Sequence, residues 1–288
     1  MKRFAVIDVG SNSVRLLFVA NGKVLYKTLN STRLGEGLAE KPILKTEAIE
    51  RTALAVAKFY ERAVEEGAEL VSVFATAAAR SAKNRSQFTA RVKELCGADV
   101  DVISGEEEAE IGILGALGAK DGGLIDMGGA STEIIVKNAG SIIYKKSVDI
   151  GIVRLKDKCG RNRSLLEEEG LRAVKEYGEV PLKGTLTAVG GTATTVAALL
   201  LGLKEYDSSK VNGAEITLSQ MQAIAEKLLQ TPVEEVAKMP CVSKGREDLL
   251  AGGAALFATL MRELGFEKLI VSDRDNLEGY AIKRGWME

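Results

Sequence analysis

Two segments of this chain repeat one another without a gap. Residues 6–27 read VIDVGSNSVRLLFVANGKVLYK, and residues 124–145 read LIDMGGASTEIIVKNAGSIIYK. An offset of 118 positions aligns the two turns, placing Asp8 on Asp126, Gly10 on Gly128 and Ser13 on Ser131. The repeat therefore predicts two copies of one supersecondary unit.

The spacing of the repeat indicates how the domains are organised. Solenoid repeats are far shorter than 118 residues. A chain of 288 residues is also long for a single core. We therefore expect two similar domains, residues 1–118 and 119–288, with a hinge around Gly115 to Gly123. Their matching turns could then face each other across a cleft.

Each copy predicts a strand, a tight turn and a second strand. In the second copy an apolar run ends at Asp126, and Gly128 and Gly129 follow it. Two hydroxyl residues and Glu133 then precede the next apolar run. Glycine permits a positive φ and leaves backbone N–H groups unobstructed. Such a turn can hold a phosphate, and the two carboxylates at its edges can hold a divalent cation, although an isolated turn of this kind equally fits an ordinary hairpin.

Hydrophobic periodicity predicts the same order of elements in both halves. Each half has three strands followed by alternating helices and strands, which favours an α/β layer architecture. Strands are expected at 4–9, 14–20, 23–29, 70–76, 99–103, 122–127, 132–137, 141–148, 185–190 and 268–272, and helices at 45–66, 85–96, 106–118, 151–158, 165–178, 192–202, 218–229, 246–264 and 277–284.

Composition narrows the classes of function. A net charge of −1 argues against general nucleic-acid binding, and no apolar stretch approaches the length of a membrane span. Three scattered cysteines fit a reducing compartment, and the first apolar run is too short for a signal peptide, so we expect a cytoplasmic protein. The chain has no histidine. A general base must therefore be a carboxylate, a thiol or a lysine.

Several motifs in order resemble the exopolyphosphatase and guanosine pentaphosphate phosphatase (Ppx/GppA) family. This family lies within the actin, Hsp70 and sugar-kinase superfamily. The Gly-Ser-Asn-Ser turn and the Ser-Gly-Glu-Glu-Glu run are specific when they occur together. The resemblance is carried by Asp8–Leu16, Arg33–Leu38, Ala75–Asn84, Ile103–Ala109, Asp126–Glu133, Gly151–Leu155, Val189–Thr192, and Arg246 with Asp248 before Gly252 and Gly253.

The resemblance implies a fold and a reaction. The fold would be two ribonuclease-H-like (actin-like ATPase) domains with a phosphate-binding cleft between them. The reaction would be attack of water on the terminal phosphate of polyphosphate or guanosine polyphosphate, assisted by Mg²⁺ or another divalent cation. The family also makes a homodimer plausible.

The resemblance further implies roles for particular residues. Glu108 would be the general base, and Asp126 and Glu133 would hold the cation or position water, with Asp8 as a further candidate metal ligand. The residues expected to bind phosphate are Gly10, Ser11, Asn12, Ser13, Arg15, Arg80, Gly128, Gly129, Ala130, Ser131, Thr132 and Arg246.

Two of these assignments, and one further segment, have simpler alternatives. Arg80 could be a surface helix residue. Glu106, Glu107 and Glu108 could form a solvated first turn that complements the helix dipole, which would lower the carboxyl pKa values. A useful base at Glu108 would need burial, or its two neighbours, to oppose that effect. The segment Gly190–Thr192 could be a plain helix entry with Thr192 as N-cap, or a weak nucleoside contact.

Two alternatives of function also remain open. One is an ATP-dependent kinase or ATPase of the same superfamily, since a fold does not fix a function. The other is a non-catalytic sensor of guanosine polyphosphate, in which Ala130 and Asp275 would mark a lapsed enzyme. These two residues, and Leu277, stand where the chain departs from the family pattern.

Overall fold

The computed structural model describes residues 2–38, 40–118 and 120–287. The chain forms two compact units. Unit 1 comprises Met1–Gly115 and Asn276–Glu288, and unit 2 comprises Ala116–Asp275. Residues 1, 119 and 288, which delimit the predicted domains, lie outside the described residues.

Unit 1 is built on a five-stranded mixed sheet in the order β3-β2-β1-β4-β5. Strands β1 and β2 are almost fully buried, as their continuous apolar runs require. Its elements before the crossing to unit 2 are β1 (Arg3–Val9), β2 (Ser13–Ala20), β3 (Lys23–Ser31), α1 (Thr46–Glu65), β4 (Leu70–Ala75), α2 (Ala77–Ser81), α3 (Arg85–Cys96), β5 (Val100–Val102) and α4 (Gly105–Ala116).

Unit 2 is built on a six-stranded mixed sheet in the order β10-β11-β9-β6-β7-β8. A large apolar core lies between this sheet and its helices. Its elements are β6 (Gly122–Met127), β7 (Thr132–Asn138), β8 (Ser141–Val148), α5 (Ile152–Cys159), α6 (Arg163–Tyr177), β9 (Gly184–Val189), α7 (Gly191–Leu200), α8 (Ser208–Val211), β10 (Glu215–Thr217), α9 (Leu218–Gln230), α10 (Val233–Val236), α11 (Leu250–Leu264) and β11 (Phe266–Val271).

The structure confirms the repeat down to the register of its strands. Asp8 pairs with Arg15, and the corresponding Asp126 pairs with Glu133. The second hairpin of each copy shifts register at the same place, between Phe18 and Val19 in one and one repeat later in the other. Both hairpin turns take positive φ at two consecutive residues, which matches the right-handed twist of the strands.

The predicted domain division places the C-terminal helix α12 (Asn276–Lys283) in the second domain, but the structure places it in unit 1. In the structure it packs in unit 1, where Leu277 and Tyr280 share a buried cluster with residues of β1, β2 and β4. The Tyr280 ring stacks on Phe74 with centroids 4.7 Å apart. The unit 1 sheet has apolar side chains on both faces. Helix α12 packs in unit 1 because the face opposite α1 must also be buried.

The predicted α/β class and most element positions are confirmed. Helix α11 begins at Leu250, four residues later than predicted from 246. Sequence periodicity missed α2, α8, α10 and β10, because elements of three to five residues are shorter than one hydrophobic period can reveal. No helix in the described part of the chain is long and apolar enough to span a membrane.

Candidate active site

The turn between β1 and β2 presents backbone donors in unit 1. The Gly10 amide donates to the Ser13 carbonyl at 3.0 Å and closes the turn. From outside, the Gly35 amide donates to the Ser11 carbonyl at 2.8 Å, and the Arg33 amide to the Asn12 carbonyl, also at 2.8 Å. Because N–H and C=O of a trans peptide point in opposite directions, the amides that follow these carbonyls point away from residues 33–35. These bonds hold the turn in a shape that fits a small anion-binding concavity.

Asn12 supplies the strongest local sign of a ligand in this turn. Its side chain is 6% exposed, and within the described structure neither polar atom of its amide has a hydrogen-bond partner. Leaving a buried amide unsatisfied is costly. A phosphate oxygen at the turn would accept from its Nδ2, so the environment fits the predicted role of Asn12.

The turn between β6 and β7 repeats this construction in unit 2. The Gly128 amide donates to the Ser131 carbonyl at 3.0 Å. The carbonyls of Gly128 and Gly129 accept from the amides of Ile152 and Val153 at 3.0 and 2.8 Å, at the start of α5. The amides of the next two residues therefore point away from α5, as they do from the loop in unit 1.

Two residues decide how tightly this second turn can pack. A Cβ on Gly151 would lie 2.4 Å from the carbonyl carbon and oxygen of Gly129, so only glycine allows this approach. Ala130 is buried, and it is not among the residues with positive φ. Its methyl group therefore causes no backbone strain at a position where the family resemblance would place glycine.

The side chains that follow the two turns differ in charge. In unit 1, Arg15 donates to Oδ2 of Asp8 through Nε at 3.0 Å and also through Nη2. In unit 2 the corresponding pair is two carboxylates, Asp126 opposite Glu133. Ser147 on β8 donates its hydroxyl hydrogen to Oε1 of Glu133. The same framework thus carries an ion pair in one unit and two acids in the other.

This acidic pair suits a magnesium ion that keeps part of its water shell. Among the described residues, no three or more Asp, Glu, Cys or His side chains cluster so as to hold a metal. Magnesium is commonly bound by one or two carboxylates, with water and substrate phosphate completing its octahedron. Asp126 and Glu133 fit that pattern. Asp8, the other predicted ligand, has a guanidinium partner in unit 1, so its metal role stays a prediction.

Glu108 lies in the first turn of α4 and is 9% exposed. The Glu107 amide donates to Oγ of Ser104 at 3.1 Å, so Ser104 caps the helix. Burial raises the pKa of Glu108. Arg80 and a hydrogen bond from Thr76 oppose that rise, whereas the charge of Asp8 adds to it. The interpretation as a solvated turn is therefore wrong for Glu108.

Arg80 is held beside that carboxylate. Its Nη1 donates to Oε2 of Glu108 at 2.7 Å and to the Ile103 carbonyl at 3.2 Å. The sequence predicts Arg80 as a phosphate ligand, and the structure shows it first as the partner of Glu108. The guanidinium has further donors, so one arginine can orient the carboxylate and also contact a phosphate oxygen.

Arg246 reaches the start of α7 within unit 2. A Cβ on Gly191 would overlap its guanidinium, because Nη1 lies 1.3 Å from that position. Gly190 has a φ of 93°, and a Cβ there would lie 3.5 Å from Oδ1 of Asp126. Helix α7 begins at Gly191 with no side-chain cap, so the predicted N-cap role of Thr192 is wrong. Because Gly190 and Gly191 have no side chains, Arg246 and Asp126 can both lie close to the start of α7.

Sequence reasoning missed three residues that shape these groups. Thr76 lies in the same motif as Arg80, and Gly151 is the first residue of the GIVRL motif. Both motifs were recognised, but neither residue was assigned a role. Ser147 had none, because a single serine near a strand end carries no pattern. Its importance follows only from the register that sets it opposite Glu133.

Comparison with known proteins shows the family of this chain. The profile of the Ppx/GppA phosphatase family matches residues 17–283. Exopolyphosphatase 2 of Mycobacterium tuberculosis is 32% identical to this chain, over 98% of each. The chain therefore belongs to the Ppx/GppA phosphatase family.

Solved structures extend the likeness to the fold. The Aquifex aeolicus member of the Ppx/GppA family is 30% identical, with a TM-score of 0.77 over 99% of this chain and 97% of that one. An exopolyphosphatase from Cytophaga hutchinsonii shares the fold at a TM-score of 0.85 and 24% identity, over 100% of this chain and 99% of that one. The predicted fold class, an α/β architecture of two domains, is confirmed, as is the predicted enzyme class, an exopolyphosphatase-like hydrolase.

Proposed function

We propose that this chain releases the terminal phosphate of inorganic polyphosphate by attack of water, with guanosine pentaphosphate as the alternative substrate. The observation that carries the proposal is Glu108, a buried carboxylate with a raised pKa in the first turn of α4, held by Arg80 at 2.7 Å. A raised pKa makes a carboxylate a stronger base, which proton abstraction from water requires. Relatives named exopolyphosphatase support the choice of substrate.

The chemistry follows from the groups in each unit. Glu108 accepts a proton from the attacking water, the new P–O bond forms, and the anhydride P–O bond breaks with its electrons going to the leaving phosphate chain. Charge spreads over the phosphoryl oxygens in such a transition state, so fixed backbone donors are the main source of stabilisation. The turn Gly10–Ser13 in unit 1 and the turn Gly128–Thr132 in unit 2 each offer donors of this kind, and Arg246 in unit 2 would add a cation.

Asp126 and Glu133 would hold a divalent cation, which we propose to be Mg²⁺. When bound, the ion would neutralise phosphate oxygens and help to orient the substrate. The cytoplasmic location and the homodimer also stay predictions. The three cysteines are free thiols, which supports a reducing compartment.

The sensor and the kinase remain as outcomes of the test rather than as proposals. Ala130 and Asp275, two departures from the family pattern, favour a lapsed enzyme, and the structure accounts for the first of them. Ala130 has no positive φ and fits its buried site. Leu277, which also stands where the family pattern differs, packs in the unit 1 core.

The test measures phosphate release with Mg²⁺ from short polyphosphate, long polyphosphate, guanosine pentaphosphate and ATP. Glu108→Gln should abolish release while leaving substrate binding largely intact. Glu106→Gln is the matched control, because Glu106 lies in the same helical turn but is exposed. It should retain the wild-type rate.

Three results would contradict the proposal. Full turnover in Glu108→Gln would remove Glu108 from the role of base. Tight binding of guanosine polyphosphate without release from any substrate would indicate a sensor. Transfer of phosphate from ATP to an acceptor other than water would indicate a kinase.

A further inference from the structure

The carboxylate of Glu133 has a hydrogen-bond donor that no motif predicts. Strands β7 and β8 pair so that Glu133 lies directly opposite Ser147. The Ser147 hydroxyl donates to Oε1 of Glu133. Glu133 is only 6% exposed, whereas Ser147 is exposed. The hydroxyl therefore meets the carboxylate at the border between the buried sheet and solvent.

The repeat supplies an internal comparison for this contact. In unit 1 the corresponding row across three strands is Asp8, Arg15 and Leu29. The ion pair with Asp8 orients Arg15 there, and the side chain of Leu29 has no hydrogen-bond donor. In unit 2 the central residue is an acid, and the residue beside it is a hydroxyl donor. The hydroxyl donor Ser147 thus occurs in unit 2, where the central residue Glu133 lies between an acid and a serine, neither of which carries a positive charge.

The backbone beneath Glu133 is already fixed by neighbouring contacts. The Tyr177 hydroxyl donates to the Thr132 carbonyl at 2.6 Å, and the Thr132 hydroxyl donates to the Ile150 carbonyl. The remaining freedom lies in the side-chain torsions of Glu133. A hydrogen bond to Oε1 restricts these torsions. Asp126 lies directly opposite on the other side, on β6.

We propose that Ser147 is a positioning residue that holds Glu133 in the orientation needed to bind a divalent cation together with Asp126. The inference rests on the proposed function, which places a cation at these two carboxylates. Groups that orient metal ligands commonly change metal affinity about 10–100-fold when they are removed. Ser147 itself touches neither the ion nor the substrate in this proposal.

The experiment measures Mn²⁺ binding to the full chain by electron paramagnetic resonance, without substrate, and repeats it with Mg²⁺ by calorimetry. Ser147→Ala should weaken binding about 10–100-fold. Ser147→Thr keeps the hydroxyl, and its added methyl group has room at an exposed strand position, so affinity should return to within about threefold of wild type. Ser141→Ala, an exposed serine on the same strand, should bind as wild type does.

Glu133→Gln separates failure of this inference from failure of the proposed metal site. If Glu133→Gln weakens binding but Ser147→Ala does not, the positioning role is overturned while the metal site stands. If Glu133→Gln binds Mn²⁺ like wild type, both are overturned. If Ser147→Thr lost as much Mn²⁺ affinity as Ser147→Ala, the inference would also be refuted, because loss of the hydroxyl would then not be the cause. Circular dichroism melting shows that each variant is folded at the temperature of the assay.

Discussion

Replacing Gly151 with alanine tests whether the shape of the unit 2 turn controls the rate. The new Cβ would lie 2.4 Å from the carbonyl carbon and oxygen of Gly129 and 2.5 Å from the nitrogen of Ala130. Real Cβ atoms essentially never approach within 3.0 Å, so the turn or α5 must move by about 0.6 Å. All three obstructing atoms belong to the backbone, so no side-chain rotation can relieve the clash.

A shift of this size is large for a site that works by positioning. Misplacement of about 1 Å can lower a rate about 10²-fold, so we expect Gly151→Ala to lower kcat/KM for polyphosphate about 10–100-fold. Overpacking should also lower the free energy of unfolding by about 1–3 kcal/mol. The assay is steady-state phosphate release, at a temperature where urea unfolding shows the variant to be fully folded.

Gly252→Ala is the matched control, because it makes the same substitution where there is space. Its Cβ would lie 3.5 Å from Cδ2 of Leu166 and 4.0 Å from Cβ of Leu155, which are ordinary contacts. Gly252 lies in the first turn of α11, where alanine should stabilise the helix by at most about 1 kcal/mol relative to glycine and leave kcat/KM unchanged. Wild-type kcat/KM in folded Gly151→Ala would refute the reasoning that the turn positions phosphate.

Three further predictions concern unit 1. Because burial raises the pKa of Glu108, kcat/KM should fall as the pH drops through a value above the ordinary 4.5, and a pH–rate profile measures this limb. Arg80→Met removes the charge that lowers this pKa, so the limb should move to higher pH, and an unmoved limb would contradict the pairing. Gly279→Ala would place a Cβ 1.7 Å from the Ile111 carbonyl oxygen, so urea unfolding should show a loss of about 1–3 kcal/mol or more. An unchanged midpoint would show that α12 does not pack closely on α4.

The sequence predicted the frame of this protein because its signals are local and repeated. Apolar runs of strand length flank both glycine turns, and a fixed offset relates them, so the two hairpins could be aligned residue by residue. Turn chemistry at Asn21–Gly22 and Ala139–Gly140 then set the same hairpin register in both copies. No knowledge of distant contacts was needed for these features.

The details of the candidate site depend on contacts between segments that are far apart in sequence. The pairing of Arg80 with Glu108, the packing of Gly151 on Gly129, and the return of α12 to unit 1 all join such segments. A helix pattern shows that α12 exists but not which sheet it covers. Similarly, helix position alone predicted a lowered pKa for Glu108, and burial by the surrounding fold reversed that direction.

The two copies of the repeated hairpin differ in charge at one corresponding position. Opposite the aspartate at the end of its first strand, unit 1 carries Arg15 and unit 2 carries Glu133. The first choice gives a pair with no net charge, and the second gives two negative charges when both acids are ionised. Like charges directly opposite each other on a sheet are destabilising, and a divalent cation removes that cost. We therefore expect the hairpin of unit 2, rather than that of unit 1, to bind a divalent cation.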